Sequence, residues 1–167
     1  GFSSKAQVYT ITAAASGSGT TTGVIELAAG STANTTLKVG MSITGTGTGT
    51  DASISVITDA DTITSAIANS AAPNSAALTF GSQIKSGADR VIALASGANP
   101  SQSIVGTTAY RVATSGGVSG SGAYTALGTV KSIDGNFITI TGTADITITH
   151  DEAVVFSGQL TQIHSTG

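Results

Sequence analysis

The chain has 167 residues, enough for one domain or two very small ones, and Gly, Ala, Ser and Thr make up more than half of them. Charged residues are 9% against roughly a quarter in a typical domain, the net charge is -3, and the six cations (Lys5, Lys38, Lys85, Arg90, Arg111, Lys131) are scattered, which argues against nucleic acid as a main partner. There is no Cys to form a disulfide, and no apolar run approaches the roughly 18 residues that a membrane-crossing helix needs, so no membrane partner is expected.

Low charge with many Ile, Val and Thr is the reverse of a disordered composition, so the chain is expected to fold. Apolar residues recur with a period of two in short runs bounded by Gly, Ser, Asn and Asp. That pattern predicts an all-β fold, an antiparallel β-sandwich or barrel of short strands with long Gly/Ser/Thr loops and no substantial helix.

In chain order, Gly1–Lys5 is expected to be a mobile arm, and Gly1 fits removal of either an initiator Met or a leader. Gln7–Ala13 predicts a first strand with Tyr9, Ile11 and Ala13 on one face, followed by a Ser16–Gly23 loop, a Val24–Leu27 strand and an Ala28–Thr35 turn. From Asn34 to Ala66 the sequence reads as strands joined by turns. Leu37 and Val39 alternate with Lys38, and Gly40 breaks the run; Met41 and Ile43 then alternate with Ser42 and Thr44. Gly45–Thr50 is expected to be a flexible loop. Ile54 and Val56 form the next alternation, Asp59-Ala60-Asp61 has turn chemistry, and Ile63 opens another short strand. Ala66–Ala77 is Ala-rich, but Pro73 sits in its middle at a helix cost of about 3 kcal/mol, so a loop is expected.

Leu78–Phe80 would end a first β-rich unit, residues 1–80 with the arm, and Gly81–Asp89 would lead to a second, residues 81–167, unless the two form one continuous domain. In that second half Arg90–Ala95 is apolar almost throughout, as in a strand covered on both faces. Strands follow at Ser103–Val105 and Ala109–Ala113, then a Ser115–Gly122 loop. Leu127–Thr141 predicts a hairpin turning at Asp134-Gly135-Asn136. The register that matches apolar with apolar pairs Ile133 with Phe137 and Val130 with Ile140 through a three-residue loop with a bulge. Ile146–Thr149, Ala153–Phe156 and Gln159–His164 complete the strands, with a turn at His150-Asp151-Glu152. Ser42–Gly47 and Thr139–Ala144 echo one another, a hint of a duplicated unit.

The strings VGMSITGTG (Val39–Gly47), ISVIT (Ile54–Thr58) and ITSA (Ile63–Ala66) resemble the Gly/Thr-rich β-modules of virion structural proteins of tailed bacteriophages, marine ones especially. The resemblance covers about residues 34–66, and similar strings occur in bacterial surface adhesins. Where the family usually has Ile and Pro after the second Gly of GTG, this chain has Thr48-Gly49-Thr50. What the resemblance implies is a virion protein of head-decoration or tail type; it carries no catalytic or binding residues to transfer.

The residues themselves name no reaction. The two His residues are His150 and His164; His150-Asp151-Glu152 is acid/base material by type, but a solvated turn accounts for it. Zinc is set aside with no Cys and two His. Calcium would draw on Asp51, Asp59 and Asp61, or on Asp145, Asp151 and Glu152, and neither set has the EF-hand spacing. Gly45–Thr50 lacks the Lys-Ser or Lys-Thr of a phosphate loop. No catalytic, cofactor-binding or metal residue is therefore assigned, no cofactor is expected, and an enzyme is not. The aromatics Tyr9, Tyr110, Tyr124, Phe2, Phe80, Phe137 and Phe156 are expected mostly in the core, since large side chains contribute roughly 1.5–3 kcal/mol each when buried and this chain has few. Such a thin core leads to the expectation of a capsid decoration (cement) protein in the virion. It would be a homo-oligomer, with a trimer among the assemblies considered, bound to the major capsid protein or other virion proteins. A phage tail or fibre component, and a secreted bacterial adhesin or surface-layer module binding glycans, are the alternatives.

Overall fold

The computed structural model describes residues 2–112 and 124–157. Its strands are β1 (Phe2–Gln7), β2 (Tyr9–Thr12), β3 (Val24–Glu26), β4 (Ile43–Thr44), β5 (Ile54–Ile57), β6 (Thr62–Ser65), β7 (Ala77–Phe80), β8 (Gln83–Ile84), β9 (Asp89–Leu94), β10 (Thr108–Val112), β11 (Tyr124–Asp134), β12 (Phe137–Gly142), β13 (Ile146–Thr147) and β14 (Ala153–Phe156). Among the described residues helix is confined to one turn, α1 (Ala33–Thr36), and a 3₁₀ turn at Gln102–Ile104. The all-β antiparallel expectation is met, and the barrel half of it is realised as a closed barrel.

The chain divides into two compact units, one of Gly1–Val8 with Ile84–Gly167 and the other of Tyr9–Gln83. The first residues thus belong with the second half of the chain, because the expected arm is a strand. In β1, Phe2 lies opposite Phe156 with ring centroids 5.6 Å apart, and Lys5 lies opposite Ala153. Ala6 and Gln7 then pair with Leu94 and Ala93 of β9. The strand expected from Gln7 to Ala13 is split at Val8, where the chain passes from one unit to the other.

The barrel closes six strands in the order β1-β14-β10-β11-β12-β9. Its core is rich in isoleucine: Ile84, Ile92, Ile138, Ile140 and Ile148 are buried with Leu127, Val154 and Phe156. Val91, Ile92, Ala93 and Leu94 are all buried, as their continuous apolar run predicts for a strand covered on both faces. Two bulges bend β11. Ala109 pairs with Gly128 and Tyr110 with Ala126, which leaves Leu127 as the extra residue, swung fully into the core. Val130 pairs with Ile140 and Ser132 with Thr139, which makes Lys131 the other. The second bulge corrects the expected hairpin. Val130 does face Ile140, but Ile133 pairs with Ile138 and Asp134 with Phe137, so Gly135-Asn136 is a two-residue loop and the bulge sits inside the strand. Gly128 holds the first bulge: its φ is +152°, and a Cβ there would lie 2.0 Å from the Thr141 carbonyl oxygen. Ser103–Val105 is not a strand. The hydroxyl of Ser101 accepts from the Ser103 amide and starts the 3₁₀ turn, which places Ile104 in the core.

The Tyr9–Gln83 unit is built of two three-stranded antiparallel sheets, β2-β7-β4 and β3-β6-β5. Bridges Ala13 to Leu27 and Ser42 to Ser53 join strands of one sheet to strands of the other. Ile25, Met41, Ile43, Ile54, Ile63, Leu78 and Phe80 form its buried interior. Residues 37–40 are a turn after α1 rather than a strand: Leu37 is buried, Val39 is 48% exposed and Gly40 takes φ 98°. Residues 66–76 are a loop, as the Pro predicts. The echoing segments do not mark one duplicated arrangement. Ser42–Gly47 runs through β4 at a sheet edge, whereas Thr139–Ala144 runs out of β12, which lies between β11 and β9 in the barrel. The expected Ser115–Gly122 loop and Gln159–His164 strand lie outside the described residues.

Candidate functional site

The His150-Asp151-Glu152 turn is a clamp. Its backbone is tied to β1, with the Asp151 amide donating to the Ala6 carbonyl and the Ala6 amide to the Glu152 carbonyl, both at 2.8 Å. His150 Nδ1 accepts from the Val8 amide at 3.0 Å, and Asp151 Oδ1 accepts from Gln7 Nε2 at 3.0 Å. Glu152 is only 8% exposed. Its Oε1 takes Arg111 Nε at 2.7 Å and pairs with Arg111 Nη2, while Oε2 takes the Thr149 amide at 3.0 Å. Both carboxylate oxygens of Glu152 are thus occupied, by the Arg111 guanidinium and the Thr149 amide, and His150 Nδ1 is occupied by the Val8 amide. The expected turn is present, but it is not solvated throughout: Glu152 is buried, which the alternation of the flanking strands does not signal.

The acidic residues weighed for calcium are dispersed into turns. Asp59 Oδ1 accepts from the Asp61 amide at 2.9 Å and Asp61 Oδ1 from the Ser31 amide at 3.0 Å. Asp145 accepts from the Ser86 amide at 2.9 Å and from Lys85, and these bonds hold its carboxyl below the usual range. Among the described residues no three acidic or His side chains converge as a metal site would require. Gly45–Thr50 is a loop, as expected, but a packed one. The Gly47 carbonyl accepts from the amides of Ser70 and Ala71, and a Cβ on Gly47 would lie 2.8 Å from Pro73 Cα. Its glycines serve close backbone contact.

Among the described residues, two groupings of exposed apolar side chains point outward. In the Tyr9–Gln83 unit, a β-bulge at Ser55 shifts the register of β5 against β6 between Ile54 and Val56. Strict alternation puts Val56 on the buried face with Ile54; the extra residue reverses the phase, and Val56 is 49% exposed. The antiparallel bridge between Ser42 and Ser53 runs toward Val39 on one side and Val56 on the other, which brings the two valines to the same end of that pair. Both lie within the stretch that resembles the phage modules.

On the barrel's outer wall, Ala109 of β10 and Val154 and Phe156 of β14 point into the core, so Tyr110 and Val155, paired across these strands, point out. Tyr124 of β11 sits diagonally from Tyr110, two residues along from its partner Ala126. The rings meet edge-to-face, with centroids 6.4 Å apart and planes at 82°. Tyr110, Tyr124, Val155 and Ser157 line a cleft of about 280 Å³, and Tyr124 is 51% exposed. Of the aromatics expected in the core, Phe80 and Phe156 are fully buried, whereas Tyr110 is half-buried and Tyr124 exposed.

No family model matches the chain, and no curated protein or solved structure is significantly similar to it.

Proposed function

We propose that this chain is a structural protein of a virion, a capsid decoration protein that stabilises the head by binding the major capsid protein, in several copies of itself. The observation that carries the reading is the pair Val39 and Val56, each about half exposed at one end of a β-pair inside the stretch that resembles phage structural modules. Apolar side chains left out of their own core gain roughly 25 cal/mol per Å² when a partner covers them. A small isoleucine core beside long loops of Gly, Ser and Thr fits a protein whose stability is completed by assembly. The mechanism is mechanical: the valine end docks on the shell and ties neighbouring subunits together. A tail or fibre component uses the same surface on a different virion partner. The Tyr110/Tyr124 cleft favours, as a second reading, a secreted adhesin or surface-layer module.

Native sizing of the protein in its source material, with peptide identification of what co-elutes, tests this. Elution with megadalton particles in fixed ratio to a capsid protein is expected. Elution as a small free species, or with cell envelope, overturns the virion reading and moves the adhesin module forward.

A further inference from the structure

We infer that the Tyr110/Tyr124 cleft is a binding site for a neutral saccharide. The inference is independent of the virion reading, since the cleft lies wholly within the barrel unit. The argument begins with charge. Among the described residues two tyrosines, one valine and one serine line the cleft, and none of these four carries a charge that would select an ion. The nearest charged side chain on the same strand, Arg111, alternates to the other face and is paired with Glu152.

Geometry narrows the class further. Ring planes at 82° form a corner, so a ring laid on one tyrosine meets the other as a wall. A flat apolar protein surface does not need that corner. A sugar does, because it offers a face of C–H groups to an aromatic ring and hydroxyls around its edge. Tyr has the matching make-up, an apolar body with a polar tip. Among the described residues neither Tyr110 nor Tyr124 has its hydroxyl in a hydrogen bond, and Ser157 adds a third hydroxyl at the rim. At about 280 Å³ the cleft is just under the roughly 300–1,000 Å³ of small-molecule sites, the size for a saccharide end rather than a long chain. Val155 is the apolar floor.

The chain has no Trp and three Tyr residues, two of them in the cleft, so its intrinsic fluorescence reports on the site directly. The full chain would be titrated to high millimolar concentration with oligosaccharides ending in glucose, galactose or N-acetylglucosamine. Sialylated and uronate oligosaccharides, tetramethylammonium and a proline-rich peptide would be titrated in parallel. The expected result is a saturable change with at least one neutral saccharide. Tyr124→Ala should weaken it at least about tenfold with an unchanged melting temperature; Tyr124→Phe should retain most of the binding and Tyr9→Phe all of it. Absence of a saturable response to every neutral saccharide overturns the proposal, as does a response that Tyr124→Ala leaves intact. A response to tetramethylammonium or the peptide alone assigns the cleft to a different ligand and overturns it equally.

Discussion

The two units solve one problem, a shortage of large side chains, in different ways. The barrel closes on itself, so every strand is paired on both sides, and its interior is filled by isoleucines of β9 and β12 and of the segments that cap it, with Leu127, Val130, Val154 and Phe156 from the other strands. It adds ion pairs on strands and turns: Arg111 with Glu152, Lys131 with Asp89, Lys85 with Asp145. The Tyr9–Gln83 unit relies on short sheets and on loops that bond to loops. Asn69 is its centre of gravity in this respect. The side chain is 5% exposed, and its Nδ2 donates to the carbonyls of Gly19 and Val24, both at 3.0 Å, while its amide donates to the Thr22 carbonyl. The lesson is that closure stabilises one unit through its ladder, whereas the other depends on individual polar side chains and on glycines that let backbones touch.

The largest way to break that contrast is at Gly128. Gly128→Ala puts a methyl 2.0 Å from a ladder carbonyl at φ +152°, and because the barrel has no free edge to yield, a loss of more than about 3 kcal/mol is expected. Chemical denaturation would read this as a midpoint collapse of the barrel unit. Next comes Glu152→Ala, which leaves Arg111 and the Thr149 amide without their acceptor. About 2 kcal/mol is expected, tempered by the partial exposure of Arg111. If the other unit truly hangs on single polar groups, Asn69→Ala should cost about 1–2 kcal/mol despite removing few atoms. Amide exchange should rise first in residues 16–24 and 66–71.

The smallest effect is at Asp89. Bonds from Lys131 and Thr141 hold its carboxyl below the usual range, but the group is exposed, so its contribution is under about 1 kcal/mol. A depressed folded pKa gives stability that is present above the unfolded value near 3.9 and is lost as pH falls through the folded value. Asp89→Asn should therefore melt slightly below the wild-type protein at pH 7. The gap should close in acid, below about pH 4.

Much of the fold was readable from the chain because alternation survives translation into strands. β6, β7, β9, β12 and β14 follow from Ile63, Leu78, Ile92, Ile138 and Val154 at their centres. What was not readable has a common cause. One inserted residue at Leu127, Lys131 or Ser55 reverses the phase of everything after it, and no composition signal marks a bulge. That is why Val56 does not share the buried face of Ile54 as their alternation predicts, and why the hairpin follows the expected register only at Val130 and Ile140. β1 was missed because Ser3, Ser4 and Lys5 carry no apolar signal; Phe2 against Phe156 and the open edge of β14 decide it. The packed role of Gly47 was hidden because a glycine needed for close approach and one that merely frees a loop look alike in sequence.

The most direct test of the proposed role is retention on particles of a Val39→Asp/Val56→Asp double variant, compared with wild type at equal melting temperature. Both side chains are about half exposed and make little of their own core, so folding should be unaffected. If the valine end is the docking surface, two buried carboxylates should abolish retention, while Tyr124→Ala leaves it intact. Retention of the double variant at the wild-type level would contradict the account.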